Sequence, residues 1–206
     1  MPPTAVGTEI TRIGEPIRTS AGEFYGLSSS QLVVNPGAEA GDTRGWTKTT
    51  VAAGEVFISV DATTLVPVRT NYSGVRVFSM AKGVAGSDII VRSDAFVSCR
   101  PGQTVQVTGS FLPHFLGGPP LEVYLGVFWY DANGDPLNTA AFSAGEASEA
   151  LALTAAVASG TWTRFTGAFV APDTAAFFRL RIRLGGAGFA MTALADSLGA
   201  FIGLGV

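Results

Sequence analysis

Beyond residue 30, hydrophobic and polar positions alternate with a period of two along much of the chain. In residues 103–111, Val105, Val107 and Gly109 fall on one side and Gln106 and Thr108 on the other. Leu121–Tyr130 sets Val123, Leu125, Val127 and Trp129 against Glu122, Tyr124, Gly126 and Phe128. Residues 177–184 place Phe178, Leu180, Ile182 and Leu184 opposite Arg179, Arg181 and Arg183. Successive side chains of a strand point to opposite faces, so this periodicity predicts strands with one face in a core. Shorter runs rich in β-branched and aromatic residues predict further strands at 32–34, 56–60, 75–80, 89–97 and 162–170.

Turn chemistry separates the runs. Asp131-Ala-Asn-Gly134 follows the predicted central strand 121–130, and Asn133 and Gly134 tolerate positive φ. Ala171-Pro172-Asp173 divides the last two predicted strands. Residues 144–157 cluster Ala, Glu and Leu, which leaves helix or strand open there. About ten short strands with turn signals every 8–15 residues or so predict an all-β fold, an antiparallel two-sheet sandwich. Residues 1–30 differ: three prolines, four glycines and a triple serine with few aliphatics predict an extended N-terminal arm without its own core. The chain thus divides into an arm, 1–30, and a domain, 31–206.

Composition narrows the chemistry. Charged residues make up 14% of the chain, against roughly 25% in soluble domains, while hydrophobic residues make up 47% and the net charge is only -3. Disorder over most of the length is excluded, and so is phosphate-dominated nucleic-acid binding, which needs a basic excess. No apolar run reaches the roughly 18 residues of a spanning helix, and residues 1–20 lack the pattern of a secretory signal, so synthesis in a cytoplasm is expected. Cys99 and His114 are single, which excludes an internal disulfide and a zinc site of Cys and His. A catalytic triad would need His114, expected in a loop between strands. No enzyme activity is expected.

Other candidate chemistry has a structural alternative. Asp131, Asn133 and Asp135 resemble the start of a calcium loop, but Pro136 and Phe142 stand where Gly and Glu are required. They read as a turn. Arg179, Arg181 and Arg183 form a basic stripe that suits a phosphate- or carboxylate-binding face, but a solvated outer face, or one paired with acids of a neighbour, is the expectation. Trp46, Trp129 and Trp162, with four Tyr and fourteen Phe, suit a sugar-stacking platform or the core, where most aromatics of a sandwich lie; Cys99 is expected at a strand end, and Asn71-Tyr72-Ser73 as an unused glycosylation sequon.

Several segments, in order, resemble the jelly-roll carbohydrate-binding modules of galactose-binding-like fold. They are Leu32-Val-Val-Asn-Pro-Gly-Ala-Glu39 with Gly45-Trp46-Thr47, then Arg100-Pro-Gly-Gln-Thr-Val105. Gly126-Val-Phe-Trp-Tyr-Asp-Ala-Asn-Gly134 and Thr161-Trp-Thr-Arg-Phe165 with Ala171-Pro172 complete the set. The resemblance covers about residues 31–203 and implies a jelly-roll sandwich. It also implies a structural calcium held by an early Glu and a last-strand Asp, which here are Glu39 and Asp196. The ligand-binding aromatics of such modules vary in position, so none is carried over.

Similar modules occur in bacteriophage virions. The missing signal, the coreless arm, the low charge density and the apolar segment Phe201-Ile-Gly-Leu-Gly-Val206 suit that setting. The expectation is a non-enzymatic virion structural protein of a tailed bacteriophage, a minor tail protein or a head decoration or fibre protein. Its expected partners are other virion subunits, through residues 1–30 and the apolar C-terminus, with homo-oligomerisation and contact with host-surface glycan. A free-standing carbohydrate-binding module is the alternative, and a glycan-degrading enzyme a third reading.

Overall fold

A computed structural model describes residues 17–19, 22–24, 37–50, 54–65, 68–83, 88–115, 121–137, 147–155, 161–186 and 191–202. In chain order its strands are β1 (Ile17–Thr19), β2 (Gly22–Phe24), β3 (Trp46–Lys48), β4 (Val56–Val60) and β5 (Val77–Lys82). These are followed by β6 (Ile89–Ser93), β7 (Val97–Ser98), β8 (Thr104–Phe115) and β9 (Leu121–Tyr130). The last are β10 (Ala147–Ala155), β11 (Thr163–Val170), β12 (Phe177–Gly185) and β13 (Met191–Ile202). One sheet runs β10-β9-β12-β6-β3, with β7 also paired to β12; the other runs β11-β8-β13-β5-β4. Every pairing among the described strands is antiparallel.

The core lies between the two sheets and follows the alternation of the sequence. Val123, Leu125, Val127 and Trp129 of β9 and Phe178, Leu180, Ile182 and Leu184 of β12 enter it from one side. Phe78 and Met80 of β5, Val105, Val107 and Phe111 of β8, and Ala193 and Ala195 of β13 enter from the other. Phe78 stacks on Phe57 of the neighbouring strand at 5.1 Å and meets the edge of Trp46, from the opposite sheet, at 5.6 Å. Trp129 Nε1, the polar atom of a buried indole, donates to Ser148 Oγ at 3.0 Å.

The pairing of β13 with β8 departs from regular alternation at two places. Between Asp196 and Gly199, β13 takes three steps while its partner β8 takes two, from Ser110 to Thr108. This is a β-bulge with one extra residue, and Ser197 in it adopts a φ of 51°. In consequence the inward set of β13 changes from Ala193 and Ala195 to Leu198 and Ala200. The second irregularity is at the other end of the same pairing, between Thr192 and Ala193, where β8 continues through Pro113. His114 therefore lies within strand β8 and is buried, not in a loop as its Gly- and Pro-rich surroundings predict. Pairing with β13 carries the strand past the proline.

The ambiguous segment 144–157 contains strand β10, because pairing with the edge of β9 overrides the helix propensity of Ala and Leu; its residues 144–146 and 156–157 lie outside the described residues. The run 89–97 is two strands, β6 and β7, interrupted at residues 94–96. Asp131 is a turn residue, as expected: its Oδ1 accepts from the backbone N–H of Asn133 and of Asp135, and those bonds hold its carboxyl below the usual range. In the arm, the described residues form the hairpin β1–β2. The rest of 1–30, the predicted strand 32–34 and residues 203–206 lie outside the described residues.

Because Phe78 is fully buried and packs on two rings, Phe78→Ala is expected to cost about 3–5 kcal/mol. Val170→Ala, at a side chain 63% exposed on edge strand β11, is expected to cost under about 1 kcal/mol. Urea unfolding monitored by tryptophan fluorescence checks both.

Candidate functional site

Two groups of polar side chains are built into this framework. The first joins Glu39 and Asp196. The bulge in β13 turns Asp196 toward residues 37–39 and 73–76, where its carboxylate is completely buried. Oδ2 accepts from Ser73 N at 2.8 Å and Ser73 Oγ at 2.9 Å, and Oδ1 accepts from Ser197 N at 2.6 Å. The carboxylate of Glu39 accepts from the backbone N–H of Val75 and of Arg76, at 3.1–3.2 Å.

Close backbone approach at two glycines makes this arrangement possible. A Cβ on Gly37 would stand 2.7 Å from Asp196 Oδ1, and one on Gly74 would stand 2.2 Å from Glu39 Oε1. Ala38, between the two anchors, has a φ of 61°, a left-handed conformation that costs a non-glycine residue energy. Burial pushes the Asp196 carboxyl above its ordinary range; hydrogen bonds from Ser73 and Ser197 oppose the shift, and the charge of Glu39 adds to it. Among the described residues neither carboxylate has a cationic partner within 4 Å.

A buried carboxylate beside a second one, both fixed by hydrogen bonds, is the donor chemistry of a hard, oxygen-seeking cation. Among the described residues no third acid, His or Cys joins the pair. Further ligands would have to be hydroxyl or carbonyl oxygens, which calcium accepts. The residues present fit such an ion.

The second group covers the outward face of the β10-β9-β12-β6-β3 sheet. Arg179, Arg181 and Arg183 of β12 lie opposite Phe128, Gly126 and Tyr124 of β9, and Arg181 also lies opposite Arg92 of β6. Although they face away from the core, Phe128, Tyr130 and Arg181 are buried, so the face is recessed. Aromatic rings carry the guanidinium groups. Arg183 lies 3.8 Å over Tyr124, Arg181 5.1 Å over Phe128, and Arg179 3.8 Å over Phe96 and 5.4 Å over Tyr130. Phe96 is itself fixed edge-on by Tyr130 and Phe177.

The stripe is split electrostatically along its length. Arg183 Nε donates to Glu149 Oε1 at 2.6 Å and Nη1 to Asp88 Oδ2 at 2.7 Å, and Arg181 reaches Glu149 Oε2 at 3.5 Å. The close approach of strand β10 to Gly126, where a Cβ would stand 2.0 Å from Ser148 O, brings Glu149 within this reach. At the other end Arg92 donates to Tyr130 Oη at 3.0 Å. Among the described residues neither Arg92 nor Arg179 has an acid within 4 Å. The Nε of each is buried without an acceptor. The stripe is expected to be solvated or paired with acids of a neighbour; Arg181 and Arg183 are paired, and Arg181 is buried rather than solvated.

Other sequence candidates have structural roles. Trp46 and Trp129 are core residues, and Trp162 Nε1 donates to Thr70 O at 2.8 Å. Asn71 accepts from Ala62 N and donates to Asp61. Burial pushes the thiol of Cys99, half-buried just after β7, up to about 11, where it is no nucleophile at neutral pH. Burial lowers the His114 imidazole, and Arg69 lowers it further.

No protein-family profile matches the sequence, and no curated protein matches it. Solved structures do. An enzymatically active domain of tailspike protein 4 from bacteriophage CBA120 superposes with a TM-score of 0.58 at 10% identity, over 83% of this chain and 21% of that one. The CBM22-1 xylan-binding domain of Paenibacillus barcinonensis Xyn10C gives 0.52 at 15% identity, over 82% of this chain and 93% of that one. TmCBM61, solved with β-1,4-galactotriose, gives 0.52 at 12% identity, over 82% and 97%. The chain thus spans about a fifth of the tailspike structure but nearly the whole of the two modules. At these identities the likeness is one of fold.

The glycine pockets yield a prediction. Gly74 and Gly134 both have positive φ, but only Gly74 faces a carboxylate; a Cβ on Gly134 meets open space. Gly134→Ala is expected to cost about 1–2 kcal/mol, from its backbone conformation alone. Gly74→Ala is expected to cost more, because Glu39 must also leave its backbone donors, and urea midpoints of the two variants check the order. The chain has the antiparallel jelly-roll sandwich fold of carbohydrate-binding modules.

Proposed function

We propose that this protein is a non-enzymatic glycan-binding module carried on a tailed-bacteriophage particle. The observation that carries the binding half is the recessed arginine-aromatic face, on a framework like that of a xylan-binding domain and a galactotriose complex. Flat rings and pre-oriented hydrogen-bond donors are what a sugar offers contacts to: its apolar ring faces and its hydroxyl groups. The particle half is supported by the likeness to a phage tailspike domain, by the Pro- and Gly-rich residues 1–30 as an anchoring arm, and by the apolar run 201–206. Partners would be other virion subunits, including further copies of this chain, and host-surface glycan. A free-standing module is the second reading, favoured by the match over nearly the whole of TmCBM61.

The isolated full chain is expected to bind glycans at micromolar strength on an array, and Phe96→Ala, which removes the platform under Arg179, to weaken that binding. Absence of binding to any glycan would count against the module reading. Deleting residues 1–30 is expected to leave a folded sandwich that no longer joins particles. Normal incorporation of the truncated chain would remove the anchoring role and favour the free-standing module.

Glu39 and Asp196 would hold a structural calcium in this reading. The ion would supply the positive charge that the two carboxylates lack and tie residues 37–39 and 73–76 to β13. Millimolar calcium is then expected to raise the melting temperature, chelator to reverse the rise, and Asp196→Asn to abolish the response. A melting temperature indifferent to calcium and chelator in the parent chain would remove the metal.

A further inference from the structure

The arginine-aromatic face is electrostatically incomplete at one end, and that asymmetry identifies a ligand class. At the Arg183 end, two arginines have two acids, Asp88 and Glu149. At the other end Arg92 and Arg179 meet around one ring: Arg92 donates to the hydroxyl of Tyr130, and the Arg179 guanidinium stands over its face. Like charges brought together on a partly buried surface repel, and nothing among the described residues forms an ion pair with either. Asp94 acts on Arg179 only at longer range and is held by a hydrogen bond from Thr47 Oγ1.

The pair is nevertheless held firmly. Phe96 carries Arg179 at 3.8 Å and is clamped by Tyr130 at 4.8 Å and Phe177 at 5.9 Å. Rings under a guanidinium fix its plane without spending its hydrogen-bond donors, and a planar fork so fixed matches a carboxylate. Two cations kept close with free donors are arranged for an anion that arrives from outside. Phe96, 44% exposed at the rim, adds an apolar surface beside that anion. A sugar carrying a carboxylate presents both features together.

We propose that Arg92 and Arg179, with Phe96 and Tyr130, form a subsite for the carboxylate of an acidic sugar, so that the module selects uronate-containing glycans over neutral ones. The proposal rests on the glycan-binding reading and adds its specificity.

The test uses the full chain on an array of uronate polysaccharides, each paired with its carboxyl-reduced neutral counterpart, followed by titration calorimetry on the strongest pair. Inorganic sulfate serves as a free-anion control. Binding is expected on the acidic members and to be weakened at least tenfold by carboxyl reduction. Arg179→Gln and Arg92→Gln are expected to weaken it by about ten- to a hundredfold, the loss of a charge-assisted hydrogen bond, with unchanged near-ultraviolet circular dichroism. Arg179→Lys, which keeps the charge and loses the fork, is expected to recover only part of the affinity. Equal binding of acidic and reduced members would overturn the specificity and leave the glycan reading intact. Binding of sulfate without uronate would assign the pair to a free anion and overturn it as well. No binding to any polysaccharide would overturn both readings.

Discussion

Strand β12 carries large apolar residues on one face and three arginines, the middle one buried, on the other, and the rest of the sheet follows from how it meets that constraint. Its inner side presents four large apolar residues to the core, which is the ordinary half of a sandwich strand. Its outer side presents three arginines at the same spacing. A guanidinium beside neighbouring strands cannot be left dry and unpaired without a large penalty, so each is placed on an aromatic ring contributed from outside the strand. That is why β9 carries Tyr124, Phe128 and Tyr130 on its outward positions, where a solvated sheet would carry small polar residues. The recess, the ring platforms and the unequal distribution of acids along the stripe are consequences of one strand with an apolar face and a cationic face.

The framework was largely legible because two-residue alternation leaves little freedom. Residues 121–130 and 177–184 could satisfy their apolar sets only as strands facing one core, and they do. Ala147–Ala155 is not legible, since Ala and Leu serve a helix as well as a strand and the deciding factor is the open edge of β9, outside the segment itself. His114 lies in a strand for a similar reason: Pro113 and the glycines beyond Phe115 read locally as a loop, while pairing to β13 extends the strand through Pro113 to Phe115.

The two polar groups differ in what the sequence offers. Glu39 and Asp196 stand 157 positions apart, as 196 − 39, and no local pattern links them; only the ordered resemblance to jelly-roll modules pointed to both. Their union depends on Gly37, Gly74 and a bulge, features whose meaning appears only when backbones approach. The arginine stripe was visible as a stripe, but its partition into a neutralised and an unneutralised end was not. Arg92 and Phe96 come from the run 89–97 and Glu149 from 144–157, and cross-strand neighbours are set by register, which the alternation of a single strand does not specify.

The bulge at Ser197 has a bearing on how such a fold acquires chemistry. Upstream of it the inward residues of β13 are 193 and 195; downstream they are 198 and 200. In a chain one residue shorter at that point, the later pair would become 197 and 199, and the odd-numbered series would run unbroken into the core. The carboxylate corner can therefore be regarded as a single-residue insertion that the sandwich accommodates without changing which side chains it packs. The core and the carboxylate corner thus meet at one extra residue, which lets β13 keep an inward alternation on both sides of the corner.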